Sequence, residues 1–153
     1  MAEIRPAKIS DLEIVVSWVR SDVDSILWAG HRVSYPIDLA SLPEAIQWKS
    51  SEAWTLESSG GVVAFGQLLA KPNHRVHLAR LISAPRHRGR GLGRVMATHL
   101  LNTALSRHPS VVSLYVAAEN SPAVELYRSL GFAEAALPIE DIATKMLYME
   151  HVA

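Results

Sequence analysis

The sequence predicts an α/β protein, α+β by stricter naming, built on a mixed, mostly antiparallel central sheet flanked by about four helices. Three features predict it. Two strand-like runs, residues 53–57 and 62–70, meet across Ser58, Ser59, Gly60 and Gly61, a hairpin signal. From residue 75 onward strand and helix patterns alternate, as in a layered α/β arrangement. The chain has 153 residues, 49% of them apolar and 20% charged, which suits one compact domain, residues 1–153, with a real core.

Residues 3–7 form a short strand. Ser10 followed by Glu13 makes a capping box, and Leu12, Val15, Val16 and Val19 behind it share one helical stripe. Residues 22–28 form a second short helix ended at Gly30. A loop with Pro36 follows, and Pro43 at a first helical position opens a helix through Trp48. After the hairpin, Pro72 and Asn73 turn the chain into a strand over 75–83, which Pro85 stops because proline cannot donate to a ladder.

A helix over 92–107 repeats Met96/Ala97, Leu100/Leu101 and Ala104/Leu105 every three to four positions. Its neighbour, 111–117, reads as a buried strand from its β-branched content. Ser121 and Pro122 open a further helix as cap and first-turn residue, and Gly131 closes it. Phe132 onward and 144–152 supply two final strands.

Fifteen basic residues balance fifteen acidic ones, so no global field recruits nucleic acid or an anionic membrane. Cysteine is absent, which removes disulfides, thiolate metal sites and cysteine nucleophiles, and fits a reducing compartment. The start, MAEIRPAKISDLE, lacks the apolar core of a secretory signal, and no stretch approaches 18 uninterrupted apolar residues. The expectation is a soluble, cytoplasmic protein, monomer or homodimer, without nucleic-acid or membrane partners.

Between the 75–83 strand and the 92–107 helix lies RHRGRGLGRVM, residues 86–96. Three glycines within five residues let a ligand approach the backbone closely. The N–H groups of 89–93 then sit at a helix N-terminus, where unpaired donors and the helix dipole favour anions, with Arg86, Arg88, Arg90 and Arg94 around them. A pyrophosphate-sized anion is the natural guest. A dinucleotide fingerprint starting at Gly89 needs glycine where Arg94 stands, and no Walker Gly-Lys-Ser/Thr exists. The bland alternative is a solvated basic turn.

Here the sequence closely resembles the GCN5-related N-acetyltransferase (GNAT) family. Its signature, Arg or Gln, two residues, Gly, one residue, Gly or Ala, is matched by Arg88-Gly89-Arg90-Gly91-Leu92-Gly93 behind LISAP. A second feature follows in NSPAVELYRSLGF, with Asn120, Ala123, Leu126, Tyr127, Gly131 and Phe132. The resemblance is strong over roughly 74–135. It implies an acetyl-coenzyme A–dependent N-acetyltransferase, with acetyl-coenzyme A as co-substrate, a small-molecule or peptide amine as acceptor, and no metal.

By that resemblance the amides of 88–93 hold the pyrophosphate, and Leu81, Ile82 and Ser83 pair with the pantetheine arm where their strand splays from 111–117. An amide near Ile82 polarises the thioester carbonyl; such a donor is typically worth about 2.7–4 kcal/mol. Asn120 matches a cofactor contact, or is a helix-start residue making local backbone bonds. Tyr127 matches the general acid that protonates the departing thiolate; otherwise it is a core tyrosine. His77 falls where several relatives carry a Glu or His base, and its titration range suits that task, although a strand histidine is more often structural. His74 and Glu119 are weaker candidates. The glutamate that other members use on the next strand is replaced by Tyr115.

Asp22, Asp24, Trp28, His31 and Tyr35 cluster where the family walls its amine site; acids there would attract a cationic amine and aromatics would cover it. Two further readings stand beside the enzyme: a coenzyme A–binding regulatory module without turnover, and a phosphate-binding interaction domain. An intact Tyr127 speaks against the first, balanced charge against nucleic-acid binding by the second.

Overall fold

The structure, a computed structural model, describes residues 2–136 and 146–151. In chain order it contains β1 (Ala2–Pro6), α1 (Leu12–Val16), α2 (Asp22–Ala29), α3 (Leu42–Ala45), β2 (Ser51–Ser58) and β3 (Gly61–Lys71). Then come β4 (Arg75–Ser83), α4 (Leu92–Leu105), β5 (Val111–Ala117), α5 (Ser121–Ser129), β6 (Phe132–Glu134) and β7 (Met146–His151). The expected final strand is present from Met146; Thr144, Lys145 and Val152 lie outside the described residues.

The strands form one seven-stranded sheet in the order β1-β2-β3-β4-β5-β7-β6. Every neighbouring pair is antiparallel except β4 and β5, which are parallel and joined through α4. The central strand β3 is nearly buried throughout, which its apolar run GVVAFGQLLAK requires. One core packs Met96, Ala97, Leu100, Leu101 and Ala104 of α4 against Leu68, Leu78, Leu114 and Met149. A second core packs Leu12, Val15, Trp18, Trp28, Leu42 and Ile46 around Phe65. The sheet is therefore covered by helices on both faces.

Three local expectations are corrected. The first helical turn begins earlier than Ser10/Glu13 implies: the Asp11 carboxylate accepts the Lys8 N–H at 2.7 Å and is gripped by both terminal nitrogens of Arg5 at 2.9 Å. The helix at Pro43 starts at Leu42 and stops at Ala45 rather than running to Trp48, because Gln47 turns left-handed at φ 58°. On α5 the cap is Asn120, not Ser121.

Two irregularities create the site. Arg75 to Leu78 pair with Val111 to Leu114, and there the β4–β5 pairing ends, although β4 continues to Ser83 and β5 to Ala117. The sheet splays as expected. On the other edge of β4, Ala79 faces Gln67 and Ile82 faces Phe65, so Arg80 and Leu81 together oppose Gly66 in a β-bulge. Arg80 takes φ 53°, a conformation costing a non-glycine residue about 1–3 kcal/mol. The Trp28 indole N–H donates to its carbonyl at 3.0 Å and fixes it there. Gly66 is glycine for space: a Cβ would lie 2.7 Å from Leu100 Cδ1.

Candidate active site

Where β4 and β5 part, a cavity of about 520 Å³ opens. Its walls are Trp28 of α2, His31 and Arg32 just after it, Lys71 at the end of β3, His77, Arg80 and Leu81 of β4, Tyr115 and Ala117 of β5, and Asn120 and Tyr127 at α5.

Tyr127 reaches this wall from the buried face of α5, its ring edge-on to Phe132 at 6.0 Å. Burial pushes its phenol up to about 12, so it stays protonated at neutral pH. A hydroxyl that holds its proton can donate one. His77 is only 9% exposed; its Nδ1 lies 2.8 Å from Ser113 Oγ and its ring 5.2 Å from that of Tyr115. Burial first, then the cations Lys71, Arg80 and Arg75, push it down to about 4, so the imidazole is neutral but a weaker base than the near-neutral titration expected from the sequence. If Nδ1–H donates to Ser113, Nε2 keeps a lone pair that can accept a proton.

Asn120 is the α5 cap and stands in the cavity wall. Its Oδ1 accepts the Ala123 N–H at 3.3 Å as the α5 cap, and the residue also lines the cavity, leaving its NH₂ available to a ligand. Leu81 lines the cavity too. Ile82 and Ser83 do not; they pair with Phe65 and Ala64 of β3, and toward β5 their strand has no partner.

Beyond β4 the glycine loop forms an exposed shelf outside the cavity. Gly89 and Gly91 adopt φ 82° and 79° with nothing within 4 Å of a would-be Cβ, so glycine is required there by conformation, not crowding. The first loop amides turn inward: His87 N–H bonds Ala84 O at 2.9 Å and Arg88 N–H lies 3.5 Å from Pro85 O. The next one paired is Val95, donating to Gly91 O at 3.1 Å. Among the described residues the amides of 89–94, including those of Leu92 and Gly93 in the first turn of α4, lack a backbone acceptor. This free row starts one residue later than the 88–93 set read from the sequence. Arg90 lies beside His87 at 3.4 Å and Arg94 donates to Ser129 Oγ at 2.9 Å, while Arg88 is exposed.

Other sequence candidates fall away from the cavity. His74 and Glu119 do not line it, and neither do Asp22, Asp24 or Tyr35; of that acceptor cluster only Trp28 and His31 do. Asp24 is spent on the start of α2, where its carboxylate accepts the Arg20 N–H at 3.2 Å. Sequence reasoning missed Lys71, Arg32 and above all Arg80. Arg80 carried no distinct local signal, since its strand RVHLARLIS also holds Arg75 and His77. Among the described residues no cluster of three or more His, Asp or Glu side chains could hold a metal ion, and no helix is long and apolar enough to cross a membrane.

A splayed β4–β5 pair, a row of free amides opening α4 and a buried tyrosine on the next helix define the acyl-coenzyme A N-acyltransferase architecture. A family model described as the acetyltransferase (GNAT) family matches residues 20–132, and the chain belongs to that family. It is 39% identical over 61 residues to streptothricin acetyltransferase of Streptomyces lavendulae, covering 40% of this chain and 32% of that one. It is 31% identical over 116 residues to mycothiol acetyltransferase of Corynebacterium kroppenstedtii, covering 76% of this chain and 29% of the relative. The matched part is thus about a third of those relatives' length. In fold it resembles the spermidine N-acetyltransferase of Vibrio cholerae solved with coenzyme A and spermine, with TM-score 0.77, 18% identity, and coverage of 97% of this chain and 94% of that one.

Proposed function

We propose that this chain is an N-acetyltransferase that moves an acetyl group from acetyl-coenzyme A to a primary amine. The observation that carries the reading is the parting of β4 and β5 after Leu78 and Leu114, with the free amides of 89–94 beyond the end of β4. Family membership and relatives named streptothricin acetyltransferase, mycothiol acetyltransferase and spermidine N(1)-acetyltransferase support the same chemistry.

Acetyl-coenzyme A, when bound, supplies an electrophilic thioester carbonyl and a thiolate leaving group. The amides of 89–94 and the neighbouring arginines hold its diphosphate. The unpartnered edge of Leu81, Ile82 and Ser83 takes the pantetheine arm as an added strand, with an N–H near Ile82 available to the carbonyl oxygen. The Asn120 NH₂ steadies the arm. Tyr127 delivers a proton to the sulfur. His77 accepts a proton from the amine through Nε2, directly or through water.

Residues 1–153 act as one N-acetyltransferase domain. The domain works as a monomer or a homodimer. The cysteine-free composition supports a cytoplasmic setting.

The test has two readouts. Acetyl-coenzyme A should raise the melting temperature, since a ligand at 100 times its dissociation constant adds about 2.7 kcal/mol. Thiol release on adding amines should then follow, with acetylated amine as product. No thermal shift at millimolar cofactor removes every coenzyme A reading; a shift without turnover on any amine returns the chain to a regulatory module.

A further inference from the structure

Opposite the glycine loop, the walls of the cavity are cationic. Arg32, Lys71 and Arg80 line it together with His31 and His77, and among its described lining residues there is no aspartate or glutamate. These charges press on one another. Partial burial and then Arg32, Arg80 and Arg75 hold the Lys71 ammonium below its ordinary value; burial and then Arg32 hold Arg80 down at about 10. Arg75 has a counterion in Glu150 at 3.7 Å, whereas no described ion pair includes Arg32, Lys71 or Arg80.

Arg80 is the most telling of them. Among the described residues its guanidinium donates to neutral oxygens, Ile46 O at 3.1 Å, Gln67 Oε1 at 3.0 Å and Gln47 Oε1 at 3.0 Å, and its buried Nε has no partner there. A half-buried charge without a carboxylate is unfavourable unless an anion completes the site. Lys71 stands away from the cofactor's diphosphate: it faces Arg75 at the start of β4, and the nine-residue strand, at about 3.3 Å per residue, runs from there to the loop, with Arg80 between the two ends.

Resting on the acetyltransferase reading above, we propose that the acceptor is a small primary amine that also carries a carboxylate, an amino-acid-type substrate. Exposed Lys71 and Arg32 contact the carboxylate, Arg80 supplies positive field from the strand beneath them, and the amine is left to His77. The reaction forms an amide N–C bond and breaks the thioester C–S bond; the amine proton leaves through His77 and the sulfur gains one from Tyr127. A polyamine such as spermine would bring more positive charge into a field that is already positive.

The test measures initial rates of thiol release at saturating acetyl-coenzyme A for amino acids, each paired with its methyl ester, alongside spermidine and phosphoethanolamine. The ester has the less basic amine, so intrinsic reactivity favours it, and a preference for the acid reports binding of the carboxylate. We expect kcat/KM for the acid to exceed that of its ester by about tenfold or more, mostly through KM. Lys71→Met and Arg32→Gln, both exposed positions that leave the core intact, should shrink that gap while the KM for acetyl-coenzyme A stays unchanged. Equal or better turnover of esters or spermidine overturns the inference, as does a gap indifferent to both variants. Preference for phosphoethanolamine overturns the carboxylate assignment. If acetyl-coenzyme A gives no thermal shift, the acetyltransferase reading fails and this inference with it. If cofactor binds but no carboxylate-bearing amine is acetylated, this inference alone fails.

Discussion

Burial acts on Tyr127 and His77 in opposite directions, raising the phenol to about 12 and lowering the imidazole to about 4, and in each case the neutral form wins. Burial keeps each group in the protonation state from which its role would start, and at the same time makes the phenol a weaker acid and the imidazole a weaker base than the free side chains. Tyr127→Phe tests the first. Its ring keeps the edge contact with Phe132, so stability and cofactor affinity should hold, while kcat falls by about a hundredfold, the usual scale of a lost general acid. Steady-state kinetics with the best amine, beside a cofactor titration, checks it; an unchanged kcat would strip Tyr127 of its role. Tyr127 was legible in the sequence because it sits at fixed spacing on one helix. Arg80 was not, since its chemistry depends on Gln67, Gln47 and Ile46, which lie far from it along the chain.

The elements that sequence patterning located well are those with a local cause. β4 and β5 run over the expected residues, bounded by turn residues and Pro85, and α4 begins at the expected Leu92 because Gly91 takes φ 79° just before it. The bulge opposite Gly66 has no local signature; it depends on the register between β3 and β4 and on Leu81 and Leu100 filling the space a Cβ would need. Likewise α3 stops early because Gln47 turns left-handed, with its side chain held by Arg80 across the cavity wall. The loop before α4 allows a clean separation of binding from folding. At Gly91 a Cβ meets nothing within 4 Å, so Gly91→Ala should cost only the strain of its left-handed backbone, about 1–2 kcal/mol. The free amides would be displaced from a common focus, and affinity for acetyl-coenzyme A should drop at least tenfold. Calorimetric titration beside a thermal melt decides it: a folded variant with native affinity would show the loop is misassigned.

Across the whole molecule, the buried bases set how stability responds to pH. The folded pKa of His77 is about 4 against an ordinary 6.5, and burial lowers His99 as well. Between those values the unfolded chain binds more protons than the folded one, so stability rises with pH through this window and is lost as pH falls from 6.5 toward 4. At 1.36 kcal/mol per unit, His77 alone accounts for about 3 kcal/mol, a large share of the 5–15 kcal/mol typical of a domain. Asp11 acts lower still: Arg5 holds its carboxyl below the ordinary 3.8, so its contribution is present above that value and disappears in stronger acid. On the alkaline side two groups oppose each other: the unfolded Tyr127 phenol ionises near 10 while the buried one does not, which lowers stability, whereas the folded Arg80 guanidinium, held at about 10, loses its proton before the unfolded one, which raises it. The pH response should therefore lie chiefly on the acid side, below about pH 6.5. Denaturant melts from pH 4 to pH 7 should show a steep acid limb in the native chain and a shallower one in His77→Gln, whose amide can still meet Ser113 but cannot titrate. Parallel limbs in the two proteins would mean that the surroundings do not lower the His77 pKa.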